Sequence, residues 1–171
     1  MELKKIISVA EIREKVKELG ARIDNDYQGK VPLFVCILKG AYVFMSDLLR
    51  ELNIPCEIDF MCISSYNNSA ETSGVVRLVK DLTFDIQKRD VLIIEDIVDT
   101  GLTLDYIVKN LKLRLPKSLK VCVLLDKTDA RKVDISLDYV GFKVPNVFLV
   151  GYGLDFKEHY RNLPYVASIE S

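Results

Sequence analysis

The chain has 171 residues, a length that favours one compact domain spanning residues 1–171. Its 24 Lys and Arg residues against 25 Asp and Glu residues leave a net charge of −1, which argues against nucleic-acid binding. There is no apolar run near the roughly 20 residues that span a membrane, and the four cysteines have neither metal-binding nor disulfide spacing. We therefore expect a cytoplasmic protein with reduced, buried thiols and no membrane contact.

The apolar pattern predicts helices that alternate with strands. A capping box of Ser8 and Glu11 starts the first helix, which we expect to end at Gly20. Apolar runs predict strands, and apolar residues at helical spacing predict two further helices. In chain order these are a strand at 31–38, a helix around 45–52, a strand at 58–62, a polar loop at 67–74, strands at 75–79 and 91–94, a helix at 104–111, and strands at 119–125 and 147–150.

This alternation favours an α/β fold, with a mostly parallel twisted sheet flanked by helices. In such sheets ligands bind beyond the carboxyl ends of the strands. Four polar features directly follow apolar strands, and we expect them to converge on one edge of the sheet. They are Lys39-Gly40, Glu95-Asp96, Lys127 and Gly151.

The strand at Val91 leads into an acidic loop, in which Glu95 and Asp96 precede Asp99-Thr100-Gly101 and a helix begins near Thr103. A phosphate cradle can form from the free N–H groups at a helix start together with a glycine and two threonine hydroxyls. Adjacent carboxylates suit Mg²⁺ or ribose hydroxyls. On the residues alone, a simple helix cap remains the alternative. The P-loop and the dinucleotide-binding glycine motif are both absent.

The fourteen residues from Val91 to Leu104 resemble the motif that binds phosphoribosyl pyrophosphate (PRPP) in type I phosphoribosyltransferases. The sequence of these residues resembles the hypoxanthine-guanine branch in particular. The resemblance implies that Glu95 and Asp96 hold the ribose hydroxyls and Mg²⁺, and that Asp99 is the general base or acid at purine N7. It also places the 5′-phosphate against Asp99, Thr100, Gly101, Leu102 and Thr103. Leu102 matches bacterial-type members, whereas other members carry a lysine there.

Three further positions agree with the resemblance, although each has an ordinary explanation when taken alone. Lys39 and Gly40 match the pyrophosphate-binding loop, in which a non-proline cis peptide precedes the lysine; alone, they indicate a tight turn. Ser65 and Tyr66 match a loop that closes over the reacting centre and excludes water; alone, such a pair on a loop is unremarkable. Lys127 matches the contact to purine O6; alone, it is a surface lysine.

The segment from 147 to 164 completes the resemblance. Phe148, a core residue in most strands of this type, matches the ring that stacks on the purine, and the backbone of Leu149 matches the contact to the base edge. Asp155 matches a ligand of a second Mg²⁺, with its carbonyl near a purine 2-amino group. Arg161 matches a pyrophosphate contact, because its planar fork suits phosphate. We expect His159 to be structural.

The resemblance covers nearly the whole chain and implies the type I phosphoribosyltransferase fold, with a small hood formed by the terminal segments. It implies Mg²⁺-dependent transfer of 5-phosphoribosyl from PRPP to N9 of hypoxanthine or guanine, giving IMP or GMP, by a homodimer or homotetramer. The sequence leaves the preference between the two bases open.

Three alternatives to this function stay open. An RNA-binding regulator of the same fold would need a basic face. A receiver-type signalling domain would carry its acidic pair after the first strand, whereas here the pair follows a much later one. A xanthine- or adenine-specific transferase would differ at Lys127 and around the carbonyls of Leu149 and Asp155.

Overall fold

Helices and strands alternate along the chain, of which the computed structural model describes residues 2–65 and 76–170. The predicted polar loop at 67–74 lies outside the described residues. In chain order the elements are β1 (Glu2–Ile7), α1 (Val9–Asp26), β2 (Leu33–Leu38), α2 (Tyr42–Arg50), β3 (Glu57–Ser65), β4 (Val76–Lys80), β5 (Asp90–Val98), α3 (Leu102–Lys112), β6 (Ser118–Asp126), a 3₁₀ turn (Thr128–Ala130), β7 (Tyr139–Lys143), β8 (Leu149–Val150) and β9 (Val166–Glu170).

The larger of two sheets has six strands in the order β4-β3-β2-β5-β6-β7. All neighbours pair in parallel except β4, which runs antiparallel to β3. The predicted mostly parallel α/β sheet is therefore confirmed. Because parallel strands end at the same edge, the segments after β2, β5 and β6 meet there.

Helices cover both faces of this sheet, which explains why its central strands contain continuous apolar runs. Along β2, Phe34 and Cys36 pack into a core with α1 and α2, while Val35 packs into a second core with α3. All three side chains are fully buried. Successive residues point to opposite faces, so a continuous apolar run supplies both cores at once.

A smaller antiparallel sheet joins the two ends of the chain, in the order β1-β9-β8. Lys4 of β1 lies opposite Ser168 of β9, and Leu149 of β8 lies opposite the same serine on its other side. This sheet confirms the predicted hood of terminal segments. Of these strands, β1 and β9 were not predicted, and neither was β7 in the larger sheet.

The first helix begins as predicted but ends later. Ser8 and Glu11 form the capping box, yet α1 continues past Gly20 to Asp26. The expectation that Gly20 stops the helix is wrong. Gly20 is buried, and a Cβ atom there would lie 3.0 Å from the Cβ atom of Glu51. Because Gly20 has no side chain, Glu51, the residue after α2, can approach α1 closely. The glycine does not mark the end of α1.

All four cysteines are free, as expected. Cys36 and Cys122 are buried, and burial raises the pKa of Cys36 to about 12. Cys56 and Cys62 are only half-buried, so the expectation of buried thiols holds for two of the four. Among the described residues, no helix has both the length and the apolar character needed to cross a membrane.

Candidate active site

A cleft of about 670 Å³ opens where the parallel strands end. It brings together side chains that are far apart in the sequence, from the ends of β2, β3, β5 and β6 and from the segment around β8. Thr100, Gly101 and Leu102 do not line it, although Thr103 of α3 does. The polar lining residues are Lys39, Gly40, Cys62, Ser64, Glu95, Asp96, Asp99, Thr103, Lys127, Asp155, Glu158 and Arg161, and Phe148 and Leu149 lie beside them.

The acidic pair lies inside β5 and not after it, which corrects the predicted strand end at Ile94. The strand runs on to Val98 because Ile97 and Val98 still pair with β6. Glu95 is buried and Asp96 is half-buried. The Asp96 N–H donates to Glu95 Oε1 at 3.1 Å, and the Ile97 N–H donates to Asp96 Oδ1 at 2.8 Å.

Burial raises the pKa of Glu95 well above its usual value, and the neighbouring Asp96 charge raises it further. Burial also raises the pKa of Asp96. Two carboxylates held this close in a poorly hydrated place repel each other when both are charged. A cation between them and the cleft would relieve that repulsion.

Because the folded chain binds the Glu95 proton more tightly than the unfolded chain, stability falls as pH rises from about 4.5 through the raised pKa. Glu95→Gln carries no charge and avoids this loss. We expect its free energy of unfolding to exceed the wild-type value increasingly towards neutral pH. The gain is about 1.4 kcal/mol for each unit of raised pKa. Urea unfolding between about pH 4 and 8 measures the difference.

The exposed substitution Glu14→Gln, on α1, is the control for this experiment. A difference between Glu95→Gln and wild type that stays constant with pH would contradict the assigned repulsion. The experiment uses the chain without ligands, since a bound cation would offset the charge of the pair.

The turn after β2 packs tightly against the acidic pair. The peptide between Leu38 and Lys39 is cis, as the resemblance implied. A Cβ atom on Gly40 would overlap the carboxylate of Asp96, and one on Gly153 would overlap the carbonyl of Gly40. Gly153 also has φ +100, which disfavours other residues there. The two glycines therefore let two loops and strand β5 meet at one point of the cleft.

Gly40→Ala is expected to displace the Asp96 side chain and to destabilise the fold by about 1–3 kcal/mol, as overpacking typically does. Chemical denaturation measures the loss. The double variant Gly40→Ala/Asp96→Ala removes the overlapped carboxylate, so it should recover most of the stability lost in the single variant. If the stability lost in the double variant equals the sum of the losses in the two single variants, the two residues do not interact.

Asp99 and Lys127 form an ion pair in the same cleft as the acidic pair. Lys127 Nζ lies 2.9 Å from Asp99 Oδ2, and the lysine is buried while the aspartate side chain is about half exposed. The Lys127 N–H donates to the carbonyl of Val98, which fixes the backbone beside β5. The expectation of a surface lysine at this position, taken alone, is wrong.

The turn that carries Lys127 is held by a second ion pair below it. Asp126 is buried, and one of its carboxylate oxygens accepts from Nε and NH2 of Arg131 at 3.1 and 2.7 Å. The other oxygen accepts from the Thr128 hydroxyl at 3.0 Å. Buried, well-bonded charges of this kind fix geometry, since breaking them is costly. Lys127 therefore points into the cleft from a rigid turn.

The helix that follows Asp99 starts at a glycine. Gly101 has φ +83 and cannot cap the helix with a side chain, which weighs against the simple helix-cap alternative. Its absent Cβ would lie 3.0 Å from Val133 Cγ2. A hydroxyl contact on the first turn is long: the Leu102 N–H donates to Thr100 Oγ1 at 3.4 Å. The first-turn N–H groups of α3 therefore suit an anion.

Phe148 lies at the mouth of the cleft and not in the core. Its side chain is 53% exposed, and its ring meets that of Phe156 edge-on, with centroids 5.6 Å apart. The expectation of a core residue fails because Phe148 precedes β8 instead of lying within it. The exposed ring leaves a face for stacking against a flat ligand. The next residue, Leu149, is buried in β8.

Arg161 reaches the cleft from the segment after Gly153. Its NH1 donates to the carbonyl of Gly153 at 2.8 Å, and its NH2 lies 2.8 Å from Asp155 Oδ1. Lys39 Nζ lies 2.9 Å from Glu158 Oε2. Glu158 was not among the predicted site residues; its spacing of three residues from both Asp155 and Arg161 was the available signal.

The closing loop is only partly described. Ser65 is the last residue of β3, and Tyr66 lies outside the described residues. Ser64, one residue earlier, lines the cleft. The position of β3 therefore brings the start of the loop to the site, while the roles of Ser65 and Tyr66 stay predictions.

The donor set suits a metal that keeps part of its water shell. Within residues 2–65 and 76–170, no three metal-ligating side chains cluster as a complete cage. Glu95, Asp96 and Asp155 nevertheless line one cleft. Mg²⁺ typically takes one or two carboxylates and completes its shell with water and substrate phosphates. These residues therefore fit Mg²⁺ bound together with a phosphorylated ligand.

Comparison with known proteins places the chain in a family. A family model described as a phosphoribosyl transferase domain matches residues 8–157. The hypoxanthine-guanine phosphoribosyltransferase of Bacillus subtilis (strain 168) is 52% identical over 167 residues, covering 98% of this chain and 93% of that protein. The hypoxanthine-guanine phosphoribosyltransferase of Mycobacterium avium is 47% identical over 176 residues, covering 99% and 87%.

A solved structure agrees with these relatives. The hypoxanthine-guanine phosphoribosyltransferase from Bacillus anthracis, crystallised with a HEPES molecule in its active site, matches with a TM-score of 0.93 and 45% identity. The match covers 99% of this chain and 100% of that chain. The chain belongs to the phosphoribosyltransferase family, in its hypoxanthine-guanine branch.

Proposed function

We propose that this protein transfers 5-phosphoribosyl from PRPP to N9 of hypoxanthine or guanine, giving IMP or GMP and pyrophosphate. The observation that carries this proposal is the ion pair of Asp99 and Lys127, which lies in one cleft with the acidic pair of β5. The relatives are hypoxanthine-guanine phosphoribosyltransferases by name, which supports the same activity here.

The ion pair matches one edge of a 6-oxopurine. Atoms O6 and N7 lie side by side on that edge. The ammonium of Lys127 donates only, so it suits a carbonyl and rejects the amino group of adenine. The carboxylate of Asp99 accepts the proton from N7 while the lone pair of N9 forms the bond to C1′. The exposed ring of Phe148 supports the base from one face.

The remaining residues handle the phosphoribosyl group. As the bond from C1′ to the pyrophosphate oxygen breaks, positive charge grows on the ribose, and the carboxylates of Glu95 and Asp96 favour it. Thr100, Gly101, Leu102 and Thr103, at the start of α3, would hold the 5′-phosphate.

The leaving pyrophosphate and its metal use the other side of the cleft. Lys39, Gly40 and Arg161 would hold the pyrophosphate, and Arg161 does so with a planar fork. Glu95, Asp96 and Asp155 would hold Mg²⁺, which when bound neutralises charge on the leaving group. Asp155 pairs with Arg161 in this structure, so the carboxylate that would hold the metal and the guanidinium that would hold pyrophosphate are neighbours in the cleft.

A steady-state assay with PRPP, Mg²⁺ and one base at a time tests the proposal. We expect turnover with hypoxanthine, guanine or both, and little with adenine. The measured rates also decide the preference between the two bases and the tolerance for xanthine. Absence of nucleotide product with every base would overturn the proposal, and turnover with adenine alone would overturn the assignment of Lys127.

We also propose that the protein acts as a homodimer or homotetramer in the cytoplasm. Resemblance to the family supports the assembly, and the free cysteines agree with a reducing compartment. Light scattering after size-exclusion chromatography tests the assembly. A monomer at the concentrations used in the assay would overturn it.

A further inference from the structure

Glu158 bridges two cations that line the cleft. Its Oε2 lies 2.9 Å from Lys39 Nζ, and its Oε1 lies 3.3 Å from Arg161 NH2. Lys39 follows β2, whereas Arg161 belongs to the segment that follows Gly153, 122 residues later in the chain. One carboxylate therefore joins two parts of the cleft through its two oxygens.

The backbone directs Glu158 to this position. Its N–H donates to Asp155 Oδ2 at 2.8 Å. Phe156 and His159 exchange backbone hydrogen bonds of 3.1 and 3.0 Å around it. Lys157 and Glu158 have φ values of 50° and 66°, in the left-handed region that side chains other than glycine rarely adopt. Residues stay in that region only where their surroundings hold them there.

The charges on this bridge match those of the proposed ligand. Under the proposed function, Lys39 and Arg161 are the two cations that hold pyrophosphate. A carboxylate and a phosphoryl group are both anions that can present two acceptor oxygens to cationic donors, so both suit the same two cations. The Lys39 ammonium and the Arg161 guanidinium hold the pKa of Glu158 below its usual value, so the side chain is charged at neutral pH.

We propose that Glu158 is an internal competitor of pyrophosphate. Its carboxylate takes the place of a phosphoryl group against Lys39 and Arg161 while the cleft is empty, leaves when PRPP binds, and returns as pyrophosphate departs. The inference rests on the proposed function of the cleft. Its effect is to weaken the hold on the product, and so to speed product release, a step that limits turnover in many enzymes.

The solvent exposure of the Lys39 and Glu158 side chains determines how strongly Glu158 should affect pyrophosphate affinity. The Lys39 and Glu158 side chains are 61% and 65% exposed, and ion pairs at that exposure are weak. The competitor should therefore change the affinity for pyrophosphate by about 2- to 5-fold and not abolish binding. A bridge strong enough to block the site would be incompatible with catalysis.

The test compares pyrophosphate binding by calorimetry, in the presence of Mg²⁺, for wild type and Glu158→Gln. We expect the variant to bind pyrophosphate about 2- to 5-fold more tightly, and to be inhibited by pyrophosphate at correspondingly lower concentrations. The gain should shrink at high ionic strength, because salt screens exposed pairs. Glu158→Asp keeps the charge but shortens the reach, so it should fall between the two.

The matched control is Glu18→Gln, which removes the same charge from an exposed pair with Lys15 on α1. It should leave pyrophosphate binding unchanged. Unchanged binding in Glu158→Gln would overturn the inference, and weaker binding would show that Glu158 orders Lys39 and Arg161 instead. If wild type neither binds pyrophosphate nor forms nucleotide, the proposed function falls as well; if wild type does both, only the inference is at stake.

Discussion

Asp99→Asn is expected to lower kcat by about 10²–10⁴-fold, the usual contribution of general acid–base catalysis, while PRPP binding stays nearly unchanged. Asparagine keeps the size of the side chain and its contact with the Lys127 ammonium through one oxygen. It cannot take the proton that N7 loses as the new bond forms at N9. The chemical step therefore slows, whereas the cleft keeps its shape.

The measurement is kcat at saturating hypoxanthine or guanine, together with the Kd for PRPP by calorimetry. Asp105→Asn is the matched control, because it makes the same substitution on α3, where Asp105 pairs with Lys109. An unchanged turnover would show that Asp99 is not the proton-transfer group. A large loss of PRPP affinity would show instead that Asp99 binds substrate.

Lys127→Met should lower kcat/KM for hypoxanthine and guanine by about 10- to 150-fold, and it should lower the discrimination against adenine. A hydrogen bond to a charged group contributes about 1.5–3 kcal/mol, which corresponds to that range. Methionine keeps the length of the side chain but offers no donor to O6. It also removes the cation beside Asp99, so part of the loss reflects the altered carboxylate.

Comparison of hypoxanthine with adenine isolates the effect on recognition, since both bases meet the same Asp99. Lys143→Met, an exposed substitution at the end of β7, is the control. If the ratio of the two kcat/KM values does not change, Lys127 does not select the base. The ion pair of Asp126 and Arg131 would then position the turn that carries Lys127 for a role other than selecting the base.

Features with a local cause were predictable from the sequence. The continuous apolar run of β2 predicts a strand buried on both faces, and the capping box predicts the start of α1. The acidic motif predicts where the cleft lies. Even so, Glu95 and Asp96 lie inside β5, because the pairing with β6 extends the strand past its apolar run. The strand propensity of residues in β5 carries no information about their pairing with β6.

Features that depend on distant parts of the chain were not predictable. Gly20 follows a helical stripe as a stop signal would, yet the approach of Glu51 explains it. The burial of Lys127 depends on the pairing of Asp126 with Arg131 and on the contact with Asp99. The contact that identifies Glu158 as a site residue is with Lys39, which is 119 residues away. Short-range patterns carry no information about such contacts.

The small terminal sheet makes β1 and β9 part of the support for the proposed purine pocket. Leu149, whose backbone is proposed to read the base edge, pairs with Ser168 of β9, and the Ile169 N–H donates to the carbonyl of Phe148. On the far side of β9 lies β1. We therefore expect deletion of a few residues from β1 or β9 to loosen the wall of the proposed pocket, and purine affinity to fall before the main sheet is affected.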